Sequence, residues 1–221
     1  MSPGQDLAQA GIRALVEAPR HDDQRLPTLE LVMARFAQAL ARRLGSLLGG
    51  EVRVRLDEQK PCRFDAWAGH QQPQGILLVF EPVEWHHPCC VKFQGELSSV
   101  ILEALLGGRR GGAPIRREGM ACTAIAARLL ERFVRQMLDD LGRAFAQVTP
   151  VTFRLSRAET GARATEIVSP ASPCITVALA VELPSCVDAL HILFPAAALE
   201  PVRALLARKV MGEDLGLDRT W

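Results

Sequence analysis

At 221 residues with 48% hydrophobic side chains, the chain is long enough for one large domain or two small ones and apolar enough for a packed core. Its 26 basic and 25 acidic residues leave a net charge of +1, so it has no overall field to hold nucleic acid or an anionic membrane. The longest apolar run, ITVALAVEL, is far short of the roughly 18 to 20 residues that cross a bilayer.

The N-terminus, MSPGQDLAQAG, lacks the basic and apolar segments of a secretory signal, so a cytoplasmic location is expected. Within residues 7–16 Ala8, Ile12, Leu15 and Val16 line one face of a two-turn helix, joined to the rest by polar EAPRHDDQR. Such a helix is marginal alone and orders on a partner. A long helix follows, with Leu29, Val32, Met33, Phe36, Leu40, Leu44, Leu47 and Leu48 at three- and four-residue spacing, started by Pro27-Thr28 and stopped by Gly49-Gly50. A strand then alternates Val52, Val54 and Leu56 with Arg53 and Arg55.

EWHHPCCVKF, residues 84–93, gathers two histidines and two cysteines and raises the question of a metal site or reactive thiol. Pro88 holds His87 extended at a turn, and Cys90 to Phe93 reads as a strand on which Cys89 and Cys90 point to opposite faces. Adjacent ligands on opposite faces do not converge, so no metal and no cofactor is expected. The six cysteines, at 62, 89, 90, 122, 174 and 186, include no CxxC pair, and free core thiols are expected. Glu96 to Leu106 reads as a short helix running into LLGGRRGGAPIRREG, residues 105–119, whose glycines and arginines fit a solvated connector. No GxxxxGK follows a strand here, so a phosphate-binding loop is excluded.

A second long helix carries Ile125, Leu129, Phe133, Met137, Leu141 and Phe145 on one stripe, with Pro150 beyond its end. Ile175, Val177, Leu179 and Val181 then alternate with Thr176, Ala178, Ala180 and Glu182 in a strand. Leu190 to Phe194 reads as a last strand and Ala197 to Arg208 as a closing helix.

These elements repeat. RFAQALARRLG at 35–45 matches RFVRQMLDDLG at 132–142 at an offset of 97, and VRVRL at 52–56 matches VTFRL at 151–155 at an offset of 99. VKFQGELSSVILEALL at 91–106 resembles ILFPAAALEPVRALL at 192–206 at an offset of 100 to 101. Three matches in one order predict two copies of one unit sharing a sheet about a pseudo-two-fold axis. Each copy alone is under 100 residues and leaves a sheet edge and a helix face uncovered.

LPTLELVMARFAQAL (26–40), CCVKFQGELSSVILEALLGG (89–108) and HILFPAAALEPVRALL (191–206) resemble the middle domain of the flagellar motor switch protein FliM family. The resemblance implies an α/β fold, a three-layer α/β/α sandwich with internal pseudo-two-fold duplication. It implies a middle domain over 26–208 with repeats 26–108 and 117–208, a flexible N-terminal segment 1–25 and a tail 209–221. It also implies a non-enzymatic adaptor in the cytoplasmic ring of the flagellar motor, coupling chemotaxis signalling to rotor direction beside copies of itself and below the rotor protein FliG. Related CheC-type phosphatases of this fold use a Glu-x-x-Asn pair on the long helices. This chain contains no asparagine, and Glu30 and Glu131 are followed at the third position by Met33 and Val134, which cannot orient a water.

Three segments depart from the family. LAQAGIRALV is similar to its CheY-like response-regulator-binding peptide: Leu7, Gln9, Ile12 and Leu15 match, while Gly11 and Arg13 replace two acids. The family's Gly-Gly-x-Gly turn, which contacts FliG, corresponds to Gly107, Gly108, Arg109, Arg110 and Gly111, with the third glycine one residue late. The chain stops at Trp221, about a dozen residues after its last helix, where the family continues into a FliN-like domain that binds FliN.

Overall fold

The computed structural model describes residues 26–69, 76–93, 96–108, 124–160, 168–183 and 186–208. Helix α1 spans Pro27–Leu48, with proline in its first turn where a missing N–H costs nothing, and it ends at Gly49 in the left-handed conformation (φ 69°). Strand β1 (Arg53–Arg63) and the short helix α2 (Phe64–Gly69) follow, then β2 (Ile76–Pro82), β3 (Cys89–Phe93) and α3 (Leu97–Leu105). The second half runs α4 (Ala124–Phe145), β4 (Phe153–Thr160), β5 (Pro173–Glu182) and β6 (Val187–Pro195). It closes with α5 (Ala196–Leu199), a 3₁₀ turn over Glu200–Val202 and α6 (Arg203–Leu206). The single closing helix expected from the sequence is therefore broken at Pro201, which has no N–H to give and whose ring clashes with the preceding turn.

The six strands among the described residues form one antiparallel sheet in the order β1-β5-β6-β3-β2-β4. When β1, β2, β3 are matched with β4, β5, β6, that order reads the same from either end. The duplication is thus built into the topology, with the pseudo-two-fold axis between β3 and β6. The first strand of each copy pairs with the second strand of the other, β1 with β5 and β4 with β2. Both pairings bulge at the equivalent place, skipping Asp57 in β1 and Ser156 in β4, 99 residues apart.

Helices α1, α3 and α4 and the α5–α6 segment share one core with the alternate strand residues Ile175, Val177, Leu179 and Val181. Phe36, Phe80, Phe145 and Phe194 are fully buried there, and truncating such a ring costs about 3–5 kcal/mol. The opposite sheet face carries α2, whose Phe64 packs on Leu77, Cys90, Cys174 and Leu193. This completes the α/β/α sandwich, with the outer layer on that side reduced among the described residues to one six-residue helix. No helix among the described residues is long and apolar enough to cross a membrane.

Candidate partner-binding surface

Helix α3 ends in a paired-glycine cap. The N–H of Gly108 donates to the Glu103 carbonyl at 2.8 Å and that of Gly107 to Ala104 at 3.1 Å, the two bonds of a Schellman motif. Gly107 takes φ +80°, and a Cβ on Gly108 would lie 2.8 Å from the Glu103 carbonyl oxygen. The fold itself therefore requires both glycines, whatever they touch. Beside them Leu106 is 58% exposed, an apolar side chain aimed at solvent that the sequence pattern did not single out. Arg109, Arg110 and Gly111 lie outside the described residues, as do Leu7, Gln9, Ile12 and Leu15.

The cap borders an open hollow between α1, α3 and α4, lined by Arg42, Ser46, Ala104, Leu105, Phe133 and Gln136 among others. Arg43 crosses it, donating to Asp140 at 2.5 Å and to Gln136 at 3.0 Å, while Arg143 meets the other Asp140 oxygen at 2.8 Å. Arg35 bonds Gln147 further along, so α1 and α4 run antiparallel. Met33 and Val134, where a water-orienting carboxamide would have to stand, are both 0% exposed. Glu131 is tied to Arg135 at 3.0 Å.

The histidine–cysteine stretch is a turn and a strand. His86 sits at φ 56° in the turn after β2, closed by its N–H to the Pro82 carbonyl at 3.0 Å. Cys89 faces the helix-side core and Cys90 the α2 side, so their sulfurs diverge as the alternation requires. Burial pushes the Cys89 thiol well above its ordinary value and that of Cys90 to about 12.

A six-stranded antiparallel sheet with the palindromic strand order of a tandem duplication, covered by helices on both faces, defines the class: a pseudo-symmetric α/β/α sandwich. The model of the family "Flagellar motor switch protein FliM" matches residues 22–211, and the chain belongs to that family. It is 34% identical over 213 residues to the flagellar motor switch protein FliM of Caulobacter vibrioides strain NA1000, a match covering 96% of this chain and 57% of that protein. The chain thus spans little more than half the length of that relative. The FliM middle domain from Vibrio alginolyticus superposes with a TM-score of 0.70 at 20% identity, covering 81% of this chain and 99% of that one. A chain of the FliG–FliM complex from H. pylori does so at 0.71 and 17% identity, covering 82% and 96%. Both share the fold.

Proposed function

We propose that this chain is a protein–protein adaptor of the flagellar motor switch, working without catalysis in the cytoplasmic ring at the inner face of the membrane. Membership of the FliM family over residues 22–211 carries this reading. In that role it sits beside copies of itself, couples chemotaxis signalling to rotor direction and binds a FliG-like rotor protein, as the H. pylori relative is crystallised with FliG. The contact we assign is the end of α3, with Leu106, Gly107 and Gly108 continuing into Arg109, Arg110 and Gly111. Exposed Leu106 supports it, since a large apolar side chain in water gains from burial on a partner. The glycines do not, because the cap already requires them.

The test is binding of the full chain to the middle domain of the FliG from the same organism. Leu106→Glu and an Arg109→Glu, Arg110→Glu double variant should each weaken binding about ten-fold or more with melting temperatures near wild type. Gly108→Val is unsuitable because it strains the cap. Wild-type binding by both variants would reduce the loop to a linker.

The N-terminal peptide, through Leu7, Gln9, Ile12 and Leu15, binds a phosphorylated CheY-like regulator weakly on this reading, because Gly11 and Arg13 replace acids. Phosphatase chemistry is disfavoured: the positions three after Glu30 and Glu131 are apolar and buried, with no carboxamide to hold a water. Acceleration of response-regulator dephosphorylation, abolished by Glu30→Ala or Glu131→Ala, would restore the enzymatic reading.

A further inference from the structure

On the sheet face opposite the long helices, cross-strand register aligns two rows of side chains. Glu58 lies opposite Ala178, Ala178 opposite His191, and His191 opposite Lys92, one line across four strands. The next row runs Lys60, Thr176, Leu193, Cys90. Directly opposed residues stand about 5 Å apart, so these groups converge on one patch. Among the described residues helix α2 covers only its far end and leaves a hollow of about 330 Å³, walled by Ala66 and Trp67 and floored by Thr176 and Ala178. That lies within the size range of small-ligand sites and holds on the order of ten non-hydrogen atoms.

The electrostatics of the hollow are unbalanced. Glu58 is held by Lys60 at 2.7 Å, which leaves half-buried Lys92 with no carboxylate in ion-pair range among the described residues. Burial pulls the Lys92 ammonium below its ordinary value, with no attractive neighbour among the described residues to offset it. In the floor, the Thr176 hydroxyl is buried without a hydrogen-bond partner among the described residues. A desolvated ammonium beside an indole wall and alanine floor is the complement of an acid with a flat apolar body.

We propose that this hollow binds a small monocarboxylate with a flat apolar body, its carboxylate on Lys92 and its apolar part between Trp67 and Ala178. Phosphate fits less well, since it needs more donors than this and leaves the apolar walls unused. The site lies on the face away from the α3 cap, and the proposal is independent of the motor reading.

Full-length ¹⁵N-labelled protein titrated with benzoate, benzamide and inorganic phosphate tests it. Benzoate should shift the amides of Lys60, Lys92, Ala178 and His191 saturably, with benzamide and phosphate each weaker by about ten-fold or more. Lys92→Met should lose most benzoate affinity, Lys92→Arg should keep it, and Trp67→Ala should weaken it, with melting temperatures checked for each. The comparison of the three probes on unmodified protein depends on no variant. Absence of benzoate shifts, shifts elsewhere, or equal binding of benzamide would overturn the proposal. So would phosphate binding as well as benzoate, because the apolar half of the site would then do nothing.

Discussion

His191 sits on β6 facing Lys92 of β3 and Lys60 and Glu58 of β1, with Asp188 on its own strand. Burial first, and then the two lysines, push its pKa below the ordinary 6.5, against weaker opposition from the two carboxylates. Because the folded value is the lower one, the unfolded chain binds more protons as the pH falls below 6.5. The contribution is intact above that value and is lost on acidification toward the folded pKa. Urea midpoints taken at about pH 7.5 and 5.5 should therefore drop more for wild type than for His191→Gln, and equal drops would refute the assignment. The thiols behave in the same spirit. Cys62 is raised to about 11 and Cys90 and Cys174 to about 12, with burial the largest cause for each, so they should alkylate slowly at about pH 8 in native protein and quickly in urea. Purified protein should carry no stoichiometric zinc. One equivalent lost in a Cys89→Ser, Cys90→Ser variant would revive a metal site. The opposed faces of these two cysteines were legible in the sequence because strand alternation depends only on neighbours. The His191–Lys92 pairing was not, since register between β3 and β6 joins residues about a hundred positions apart.

At the scale of elements, the long helices were readable because their apolar residues repeat with the period of the backbone, although Ile125 on the expected stripe of α4 is 70% exposed. Strand β5 was readable from its alternation of large and small side chains, while its burial does not alternate, since Thr176, Ala178 and Ala180 are buried on the second face. Strand β1 was readable only in its first half. It continues through Asp57–Arg63, charged and containing Pro61, because it is an edge strand, where a missing N–H and an exposed face are both tolerated. Helix α2 left no periodic signal in six residues. The repeat itself explains the best-defined ion pair. Arg43 and Asp140 are equivalent positions, 97 apart, and they touch because α1 and α4 cross at the pseudo-two-fold axis. Val91 and Ile192, also equivalent, pair directly on the same axis in the sheet. At such a point a symmetric sequence would oppose like charges, and the two copies have diverged to arginine and aspartate. Arg43→Asp and Asp140→Arg should each destabilise by about 1–3 kcal/mol, and the double swap should recover much of the loss. The cycle is read from urea denaturation. Additive losses would mean the pair contributes nothing as a pair, Asp140 being served by Arg143 alone.

For the molecule as a whole, the duplication was legible because three matched segments keep one order, and the resemblance to a family supplied the layered fold. What the offsets did not disclose is how the copies interlock. β1 finds its partner in β5 and β4 in β2, so neither copy holds a complete set of strand pairs. The helix-side core is shared as well: Phe93 of the first copy stacks near Phe133 of the second, and Phe80 meets Phe153 and Phe194 edge-on. Separated copies would each expose three strand edges, those that now pair β1 with β5, β2 with β4 and β3 with β6, and an apolar helix face, more than chains under 100 residues can offset. We therefore expect fragments 26–108 and 117–208 to show no cooperative unfolding alone and to form a one-to-one complex when mixed. Homodimers of either fragment would satisfy the same topology, and the axis decides against them. Two copies of the first fragment bring Arg43 onto Arg43, and two of the second bring Asp140 onto Asp140, whereas the mixture brings Arg43 onto Asp140. Sedimentation of the fragments alone and mixed, with far-ultraviolet circular dichroism, reads the outcome. Cooperative folding of either fragment as a monomer would break the interlocking argument. Homodimers as stable as the mixed complex would leave the topology standing and remove the charge pair as its discriminator.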